Sequence, residues 1–569
     1  MKMEQFYMFD KLNTKVEITV KEKDFCTVFS IKTGESLMDG LLREGFYISA
    51  VCGGKGRCGK CKVRVLVGTA AVTSEDEKFF TVAELNAGWR LSCLLFPTED
   101  LTIAFDFNDE SEFEAVSGFA EEKFHTNGQD INSLSSELPE NRDGSENSKG
   151  KENQGQKRCD IAIDIGTTTI AFQLLGEDGQ VVDTVTAINS QRKYGADVIS
   201  RIQASVDGKK NQLQQSIRRD LQRGISSLLE TGEYSLKQVQ KVYIACNTTM
   251  SHLLMGYDCE SLGLYPFTPV NIDFIRGTAE EILGISTDAE VVILPGISTY
   301  VGGDIVAGIY ACDMLESEEV CLLVDLGTNG EMALGNGERL LVTSTAAGPA
   351  FEGGNLTWGM GSVAGAICSV GLERERQADG TDTAIDCAVM SVHVETIRNQ
   401  SPIGICGTGV IEAISEMLQE EIIDEMGLLD EDYFEDGFPL ATTDKGEQIV
   451  LTQKDIRELQ LAKAAVRAGI ETLCLRYGVR KEQVSKVYLA GGFGYRLDVE
   501  KAMTIGMLPE EFAGRIVAVG NSALAGAKKL GQDMHGEDVL QKIVNISEEI
   551  GLSTDKDFNE LYMEHMMFE

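Results

Sequence analysis

Three cysteines and four glycines share the stretch VCGGKGRCGKC at residues 51–61, and a fourth cysteine, Cys93, follows in GWRLSCLLF. The spacing is Cys52-x5-Cys58-x2-Cys61, then Cys93. Four thiolates gathered this way can hold an iron–sulfur cluster, a bulky anionic group that needs backbone N–H donors aimed at its sulfurs. Gly53, Gly54, Gly56 and Gly59 let the chain turn through conformations closed to other residues, and Lys55 and Arg57 add positive charge beside it. Zinc is the competing reading, but zinc sites favour two C-x2-C pairs and this stretch has one. Unligated thiols are the plain alternative.

A second chemistry is written at strand ends. Asp164 closes the apolar run CDIAID, Gly166-Thr167-Thr168-Thr169 turns, and IAFQLL returns as a strand. The pattern comes again: Asp325 follows CLLV, Gly327-Thr328-Asn329-Gly330 turns, and EMALG, an Asn-Gly turn and ERLLV form a further hairpin. Tight turns of this composition offer N–H and hydroxyl donors to phosphate oxygens. An aspartate at the strand end can hold Mg²⁺ through water, because Mg²⁺ prefers a few carboxylates plus phosphates. One such turn could be an ordinary hairpin; two suggest a duplicated fold. A third element, VYLAGGFGYRLD at 487–498, is an apolar strand running into Gly491-Gly492-Phe493-Gly494, where bare backbone can lie against an adenosine.

The elements that must position these residues follow from periodicity. Residues 16–20 and 26–31 alternate as strands, 35–44 read as a short amphipathic helix, and KVRVLVG after Cys61 is another strand. With 569 residues and 43% hydrophobic content, the chain has room for several cored domains. The expected division is 1–107, a polar and partly disordered linker at 108–158, a first lobe at 159–298 and a C-terminal lobe at 299–569. The linker expectation rests on composition: Ser, Asn, Gly, Glu and Lys without a hydrophobic period. A net charge of −39 argues against nucleic acid and against a polybasic membrane contact. No apolar run approaches the ~18–20 residues of a membrane span, and the N-terminus lacks a signal-peptide core, so a cytoplasmic location is expected. Fourteen cysteines in such a chain are not a disulfide framework; the ten outside the cluster set read as small buried hydrophobes.

Residues 15–107 resemble a β-grasp ferredoxin of the x5 spacing class, one residue longer in the loop than the plant-type C-x4-C-x2-C…C pattern, which implies a 2Fe–2S cluster on Cys52, Cys58, Cys61 and Cys93. The two D-x-G-T turns and the GGFG turn resemble the phosphate-1, phosphate-2 and adenosine motifs of the acetate and sugar kinase, Hsp70 and actin superfamily. That resemblance implies a multidomain α+β and α/β chain with two ribonuclease-H-like lobes closing on Mg-ATP. Two small-residue helices would cross between the lobes, in GGDIVAGIYACDML (302–315) and NSALAGAKKL (521–530), through pairs such as Gly303/Ala307 and Ala523/Ala527. By the same resemblance Asp325 holds Mg²⁺ or orients water, with Asp164 beside it. Gly166, Thr167, Thr168, Gly327, Thr328, Asn329 and Gly330 surround the phosphates, and Gly491, Gly492 and Gly494 lie near ribose or base.

The combination looks like the reductive activators of corrinoid proteins. YGADVISRI (194–202), NTTMSHLLMG (247–256), PFTPV (266–270), AAGPAFEGG (346–354) and ICGTGVIEAI (405–414) are similar to that family in the same order. The resemblance implies ATP-driven one-electron reduction of cob(II)alamin to cob(I)alamin on a corrinoid protein of a methyltransferase system. It implies a low-potential electron donor such as a ferredoxin, and a homodimer. The alternatives are an ATP-dependent activator of another low-potential metalloenzyme, a small-molecule kinase with a fused redox domain, and a non-enzymatic redox sensor.

Overall fold

A computed structural model of the chain describes residues 15–21, 26–32, 34–43, 61–104, 157–195, 197–327, 329–375, 389–494 and 496–568. The expected linker at 108–158 therefore lies almost wholly outside the described residues, as do Cys52, Cys58 and Thr328. Two compact units are present, Met1–Glu112 with Ile188–Asp220, and Phe113–Ala187 with Leu221–Glu569.

In the N-terminal region, β1 (Lys15–Lys21), β2 (Cys26–Lys32), β3 (Lys62–Val67), β4 (Trp89–Leu91) and β5 (Leu101–Ala104) form one sheet in the order β2-β1-β5-β3-β4. Strand β1 is antiparallel to β2 and parallel to β5. Val16, Ile18 and Val20 point inward at every second position, the period a half-buried strand requires. The helix Leu37–Arg43 lays Leu37 and Leu41, one turn apart, into the same core. Its first N–H, from Leu37, donates to Leu95 O at 2.7 Å and so ties the helix to the turn that carries Cys93.

The larger unit contains the duplication the two D-x-G-T turns suggested. Its first sheet is built from β6 (Cys159–Ile165), β7 (Thr169–Leu175), β8 (Val181–Ile188), β9 (Val239–Cys246), β10 (Ile275–Thr278) and β11 (Glu290–Ile293), ordered β10-β11-β9-β6-β7-β8. Its second begins with β12 (Cys321–Leu326), β13 (Gly330–Gly335) and β14 (Leu340–Thr345). After an insertion carrying β15 (Ala366–Glu375), β16 (Val389–Thr396), β17 (Gly404–Ile405), β18 (Phe438–Thr442) and β19 (Gln448–Leu451), it is completed by β20 (Lys486–Ala490), β21 (Ile516–Gly520) and β22 (Ser547–Glu549). The order is β21-β20-β12-β13-β14-β22. In both sheets the Asp-bearing strand pairs antiparallel with its hairpin partner and parallel with a later strand. This is the two-lobed ribonuclease-H-like architecture.

The helix Gly303–Ala311 follows β11 of the first lobe and Ser522–Gln532 follows β21 of the second, and they cross in the core between the sheets. A helix buried on nearly all sides must be apolar all round, and Ile305, Val306, Ala307, Ile309 and Tyr310 meet that demand. The close approach is made by a glycine: a Cβ at Gly526 would meet Ala307 O at 2.2 Å, and one at Gly308 would meet Ser522 Oγ at 2.8 Å. The expected pairs Gly303/Ala307 and Ala523/Ala527 thus name the right helices and Ala307, but the tightest contacts are at Gly526 and Gly308. The phase of a helix face is set by the partner helix, which spacing along one helix does not report.

Candidate functional site

The cysteine pair comes first in the chain. Cys61 immediately precedes β3 and Cys93 lies in the 3₁₀ turn Ser92–Leu94 after β4. The β3–β4 ladder, with Lys62 opposite Leu91, brings the two together, and Ser92 N donates to Cys61 O at 2.8 Å. Their Sγ atoms are 3.2 Å apart, both thiols are buried, and no disulfide joins them. The adjacent Ser92 hydroxyl is buried and finds no partner among the described residues. Two buried sulfurs side by side suit ligands of one metal centre, and four thiolates would hold a 2Fe–2S cluster with Cys52 and Cys58. Those last two lie outside the described residues.

In the larger unit the strand ends set the second site. Asp164 stands opposite Ala245 on β9 and Ala171 on β7, and Asp325 stands opposite Ala490 on β20 and Glu331 on β13. The two halves therefore match in topology, but the second turn is one residue shorter and the hairpin partner is alanine in one and glutamate in the other. Each aspartate is followed by a closed turn: Gly166 N donates to Thr169 O at 2.9 Å and Gly327 N to Asn329 O at 3.0 Å. Asp304, in the first turn of the helix Gly303–Ala311, joins them. Asp164, Asp304, Asp325 and Glu331 are each only half-buried at their surfaces yet set deep among protein atoms.

Their protonation reflects that setting. Burial, with repulsion from Asp304 and then Asp164, pushes Asp325 up to about 7. Burial also raises Asp164 to about 7; a hydrogen bond from Asn521 opposes the shift and Asp304 adds to it. Asp304 itself rises to about 6, mainly through burial. Glu331 is pushed well above the carboxylate range by burial and then by Asp304, Asp325 and Asp164. Burial leads all four shifts, and Asp304 adds repulsion at Asp164, Asp325 and Glu331, so the cluster would gain from a positive charge. Among the described residues, no three His, Cys, Asp or Glu side chains are arranged to hold a metal ion by themselves.

The other expected residues take definite places. Thr167 Oγ1 accepts from Asn247 Nδ2 at 3.1 Å, and Asn247 in turn caps the helix Thr248–Met255 by accepting from Met250 N at 2.9 Å. Thr168 Oγ1 donates to Glu352 Oε2 at 3.2 Å. Gly491 has φ +88°, and a Cβ there would meet Leu326 O at 2.5 Å and Asp325 Oδ1 at 2.8 Å. Only glycine fits, and its place is directly against the Asp325 carboxylate. Gly492 faces open space and Gly494 is buried, so of the three glycines Gly492 offers the most accessible backbone.

Sequence reasoning missed Asp304, Glu331, Asn247, Asn521 and Glu352. Aligning the two D-x-G-T hairpins without a gap sets Glu331 against Ile170, an acid where the first hairpin has an apolar residue. Asp304 was visible as the one acid in the apolar stretch GGDIVAGIYA. Asn521 Nδ2 donates to Asp164 Oδ2 at 2.9 Å from the far lobe, and no local pattern announces it.

Fold and site together define a two-lobed ATPase of the acetate and sugar kinase, Hsp70 and actin superfamily that carries a ferredoxin domain in front. The comparisons narrow this. Residues 319–569 match the family model for the C-terminal domain of RACo, described as its ASKHA domain. Residues 159–317 match the RACo middle region, and 20–98 match a 2Fe–2S iron–sulfur cluster binding domain. The chain is 30% identical to the corrinoid activation enzyme RamQ of Eubacterium limosum over 431 residues, 72% of this chain and 70% of that protein. It is 27% identical to the [Co(II) methylated amine-specific corrinoid protein] reductase of Methanosarcina barkeri, over 71% of this chain and 76% of that protein. A solved structure, the reductive activator for corrinoid, iron–sulfur protein, is 28% identical and superposes with a TM-score of 0.65 over 97% of this chain and 98% of that one. The chain belongs to the ferredoxin-fused reductive activators of corrinoid proteins.

Proposed function

We propose that this chain reduces the cob(II)alamin of a corrinoid protein to cob(I)alamin, one electron at a time, and couples that step to ATP hydrolysis. The observation that carries the proposal is the meeting of Asp164, Asp304, Asp325 and Glu331 at the facing ends of a duplicated fold, in a chain that also pairs Cys61 with Cys93. Asp325 holds Mg²⁺ or orients the attacking water. Asp164 and Thr167 position phosphates, together with Gly166, Thr168, Gly327, Thr328, Asn329 and Gly330. Gly491, Gly492 and Gly494 lie near ribose or base, with Gly491 closing over Asp325.

A 2Fe–2S cluster supplies a one-electron carrier, and plant-type clusters sit near about −400 mV. For one electron, about 59 mV is a factor of ten in the equilibrium constant, so a more negative cobalt couple would stay mostly oxidised. Nucleotide binding shifts that balance only if it favours one conformation of the complex over another. Two lobes joined through crossing helices offer such a pair of states. The electron reaches the protein from a low-potential donor such as a ferredoxin, and the working form is a cytoplasmic homodimer. Among the described residues no helix is long and apolar enough to cross a membrane.

The test is ATP hydrolysis with and without a Co(II)-state corrinoid protein of a methyltransferase system. Hydrolysis should rise when the partner is added and vanish in Asp325→Ala while the visible spectrum of the cluster stays intact. Normal hydrolysis by Asp325→Ala would remove the site assignment.

A further inference from the structure

The stretch AAGPAFEGG contains a 3₁₀ turn, Pro349–Glu352, set between Gly348 and Gly353, whose φ values of 79° and 76° are left-handed. The two ends of a nucleotide site meet on this turn. Thr168, in the first-lobe phosphate turn, donates to Glu352 Oε2 at 3.2 Å across 184 residues of sequence. Phe351, the next residue back, is buried and stacks on Phe493 of the Gly491–Gly494 turn, with ring centroids 4.9 Å apart and planes at 23°. Behind it, a Cβ at Gly407 would meet Phe351 O at 1.9 Å, so the turn is wedged against the start of the helix Gly407–Gln419.

A threonine hydroxyl carries one proton, and phosphate oxygens only accept. Thr168 therefore cannot donate to Glu352 and to a phosphate at once. A carboxylate and a phosphate sharing one hydroxyl would also be like charges a few ångström apart in a partly desolvated cleft, where repulsion is strongest.

We propose that Glu352 is a positioning residue of the nucleotide site that competes with the nucleotide phosphates for the Thr168 hydroxyl, so that ATP binding releases Glu352 and shifts the Pro349–Glu352 turn. The proposal rests on the ATP-binding function stated above and adds the element that reports occupancy. With the latch closed, Thr168 is held by the opposite lobe and the phosphate turn is incomplete. With ATP bound, Thr168 serves the phosphate and Glu352 is expelled. The displacement passes through Phe351 to Phe493 on one side and to the head of the Gly407–Gln419 helix on the other. ATP-bound and nucleotide-free forms then differ at a defined turn, which is what a partner needs in order to prefer one of them.

Equilibrium binding of ATP, ADP and adenosine to full-length wild type, Glu352→Ala and Glu352→Gln tests this, with circular dichroism checking the fold. A binding-competent fraction raised by loss of the latch tightens apparent affinity in proportion, so ATP should bind on the order of tenfold more tightly to Glu352→Ala. Adenosine, which has no phosphate, should bind all three proteins alike. Glu352→Gln still accepts from Thr168 but carries no charge, so its ATP affinity should fall between wild type and Glu352→Ala; it also keeps the side-chain shape should the alanine variant fold poorly. A purely structural role would instead weaken ATP and adenosine together, and that result overturns the proposal. So does unchanged ATP affinity in both variants, or a loss of affinity seen only with Mg²⁺ present, which would make Glu352 a metal-side ligand. If wild type binds no adenine nucleotide at all, the ATP site itself is wrong, a result distinct from normal binding that ignores Glu352.

Discussion

Asn521 Nδ2 donates to Asp164 Oδ2 at 2.9 Å across 357 residues of sequence, while Oδ1 of the same side chain accepts from Leu524 N at 2.8 Å. One amide therefore caps the crossing helix Ser522–Gln532 and holds the first-lobe carboxylate. The second lobe reaches into the first through this residue.

Removing it separates the two roles. Asn521→Ala loses a cap, at a cost of about 1 kcal/mol of stability, and leaves Asp164 unheld. A hydrogen bond to a charged group is worth about 1.5–3 kcal/mol, so ATP hydrolysis should fall by roughly tenfold or more. Asn521→Asp keeps a cap acceptor but sets carboxylate against carboxylate, so its hydrolysis should be no better than that of the alanine variant. Wild-type rates in both would show that this contact is only structural.

The carboxylate group gives a pH signature. Asp325 and Asp164 are pushed up to about 7 in the folded chain, well above their ordinary range, because burial, and then repulsion from Asp304, disfavours ionisation. A raised folded value means the folded state binds more protons than the unfolded one between about 4 and 7. Their stabilising contribution is complete at low pH and is lost as pH rises through about 7. Melting curves of Mg²⁺-free protein should therefore shift downward between pH 6 and pH 8, and added Mg²⁺ should raise the midpoint more at pH 8 than at pH 6. A Mg²⁺ effect independent of pH would contradict this.

The ferredoxin-like region predicts its own metal content. Anaerobically purified protein should hold about two irons per chain. Cys61→Ala, which breaks the Cys61–Cys93 sulfur pair, should lose most of the visible absorbance. Four irons per chain, or bound zinc, would contradict the 2Fe–2S assignment.

A separate ion cluster fixes the C-terminal segment. Arg467 Nε at 2.7 Å and Lys481 Nζ at 3.0 Å meet Glu471 Oε1, and His565 Nε2 lies 3.3 Å from Oε2. Burial alone would raise the Glu471 carboxyl, but hydrogen bonds from His565, Arg467 and Lys481 outweigh it and hold the group well below the usual carboxylate range. A lowered folded value contributes stability above the ordinary value of about 4.3 and loses it as pH falls below that. Glu471→Gln should cost about 1–3 kcal/mol in urea unfolding at pH 7, with the deficit shrinking as pH approaches about 3. An equal deficit at both pH values would mean the ion pairs contribute nothing beyond shape.

How much of this could be read from the sequence depends on how local each signal is. The D-x-G-T turns are local signals, an apolar strand ending on an aspartate and then a short Gly/Thr turn, whereas residues 51–60 of the cysteine loop lie outside the described residues. The duplicated lobes followed from two similar turns, and the sheet orders bear that out. Asp304 and Glu331 stand out as acids in apolar stretches, but their meeting with Asp164 and Asp325 was not legible, nor was Asn521, because each enters the site through a ladder register or a helix crossing. Glu331 reads as one more strand residue until it is set opposite Asp325. Gly491 was expected at the nucleoside; the structure sets it against Asp325, since its positive φ folds the turn back over the strand end.

The most direct test of ATP-driven reduction holds the electron donor at a fixed potential and reads the Co(I) band of a corrinoid partner with and without Mg-ATP. With wild type, the Co(I) fraction should be small without nucleotide and should rise severalfold with it, on the scale of tenfold per about 59 mV of effective drive. Asp325→Ala and Cys61→Ala should each stay at the nucleotide-free level. The same Co(I) fraction with and without Mg-ATP, or full reduction by a chain starting at Cys159, would contradict ATP-coupled electron transfer through the cluster domain.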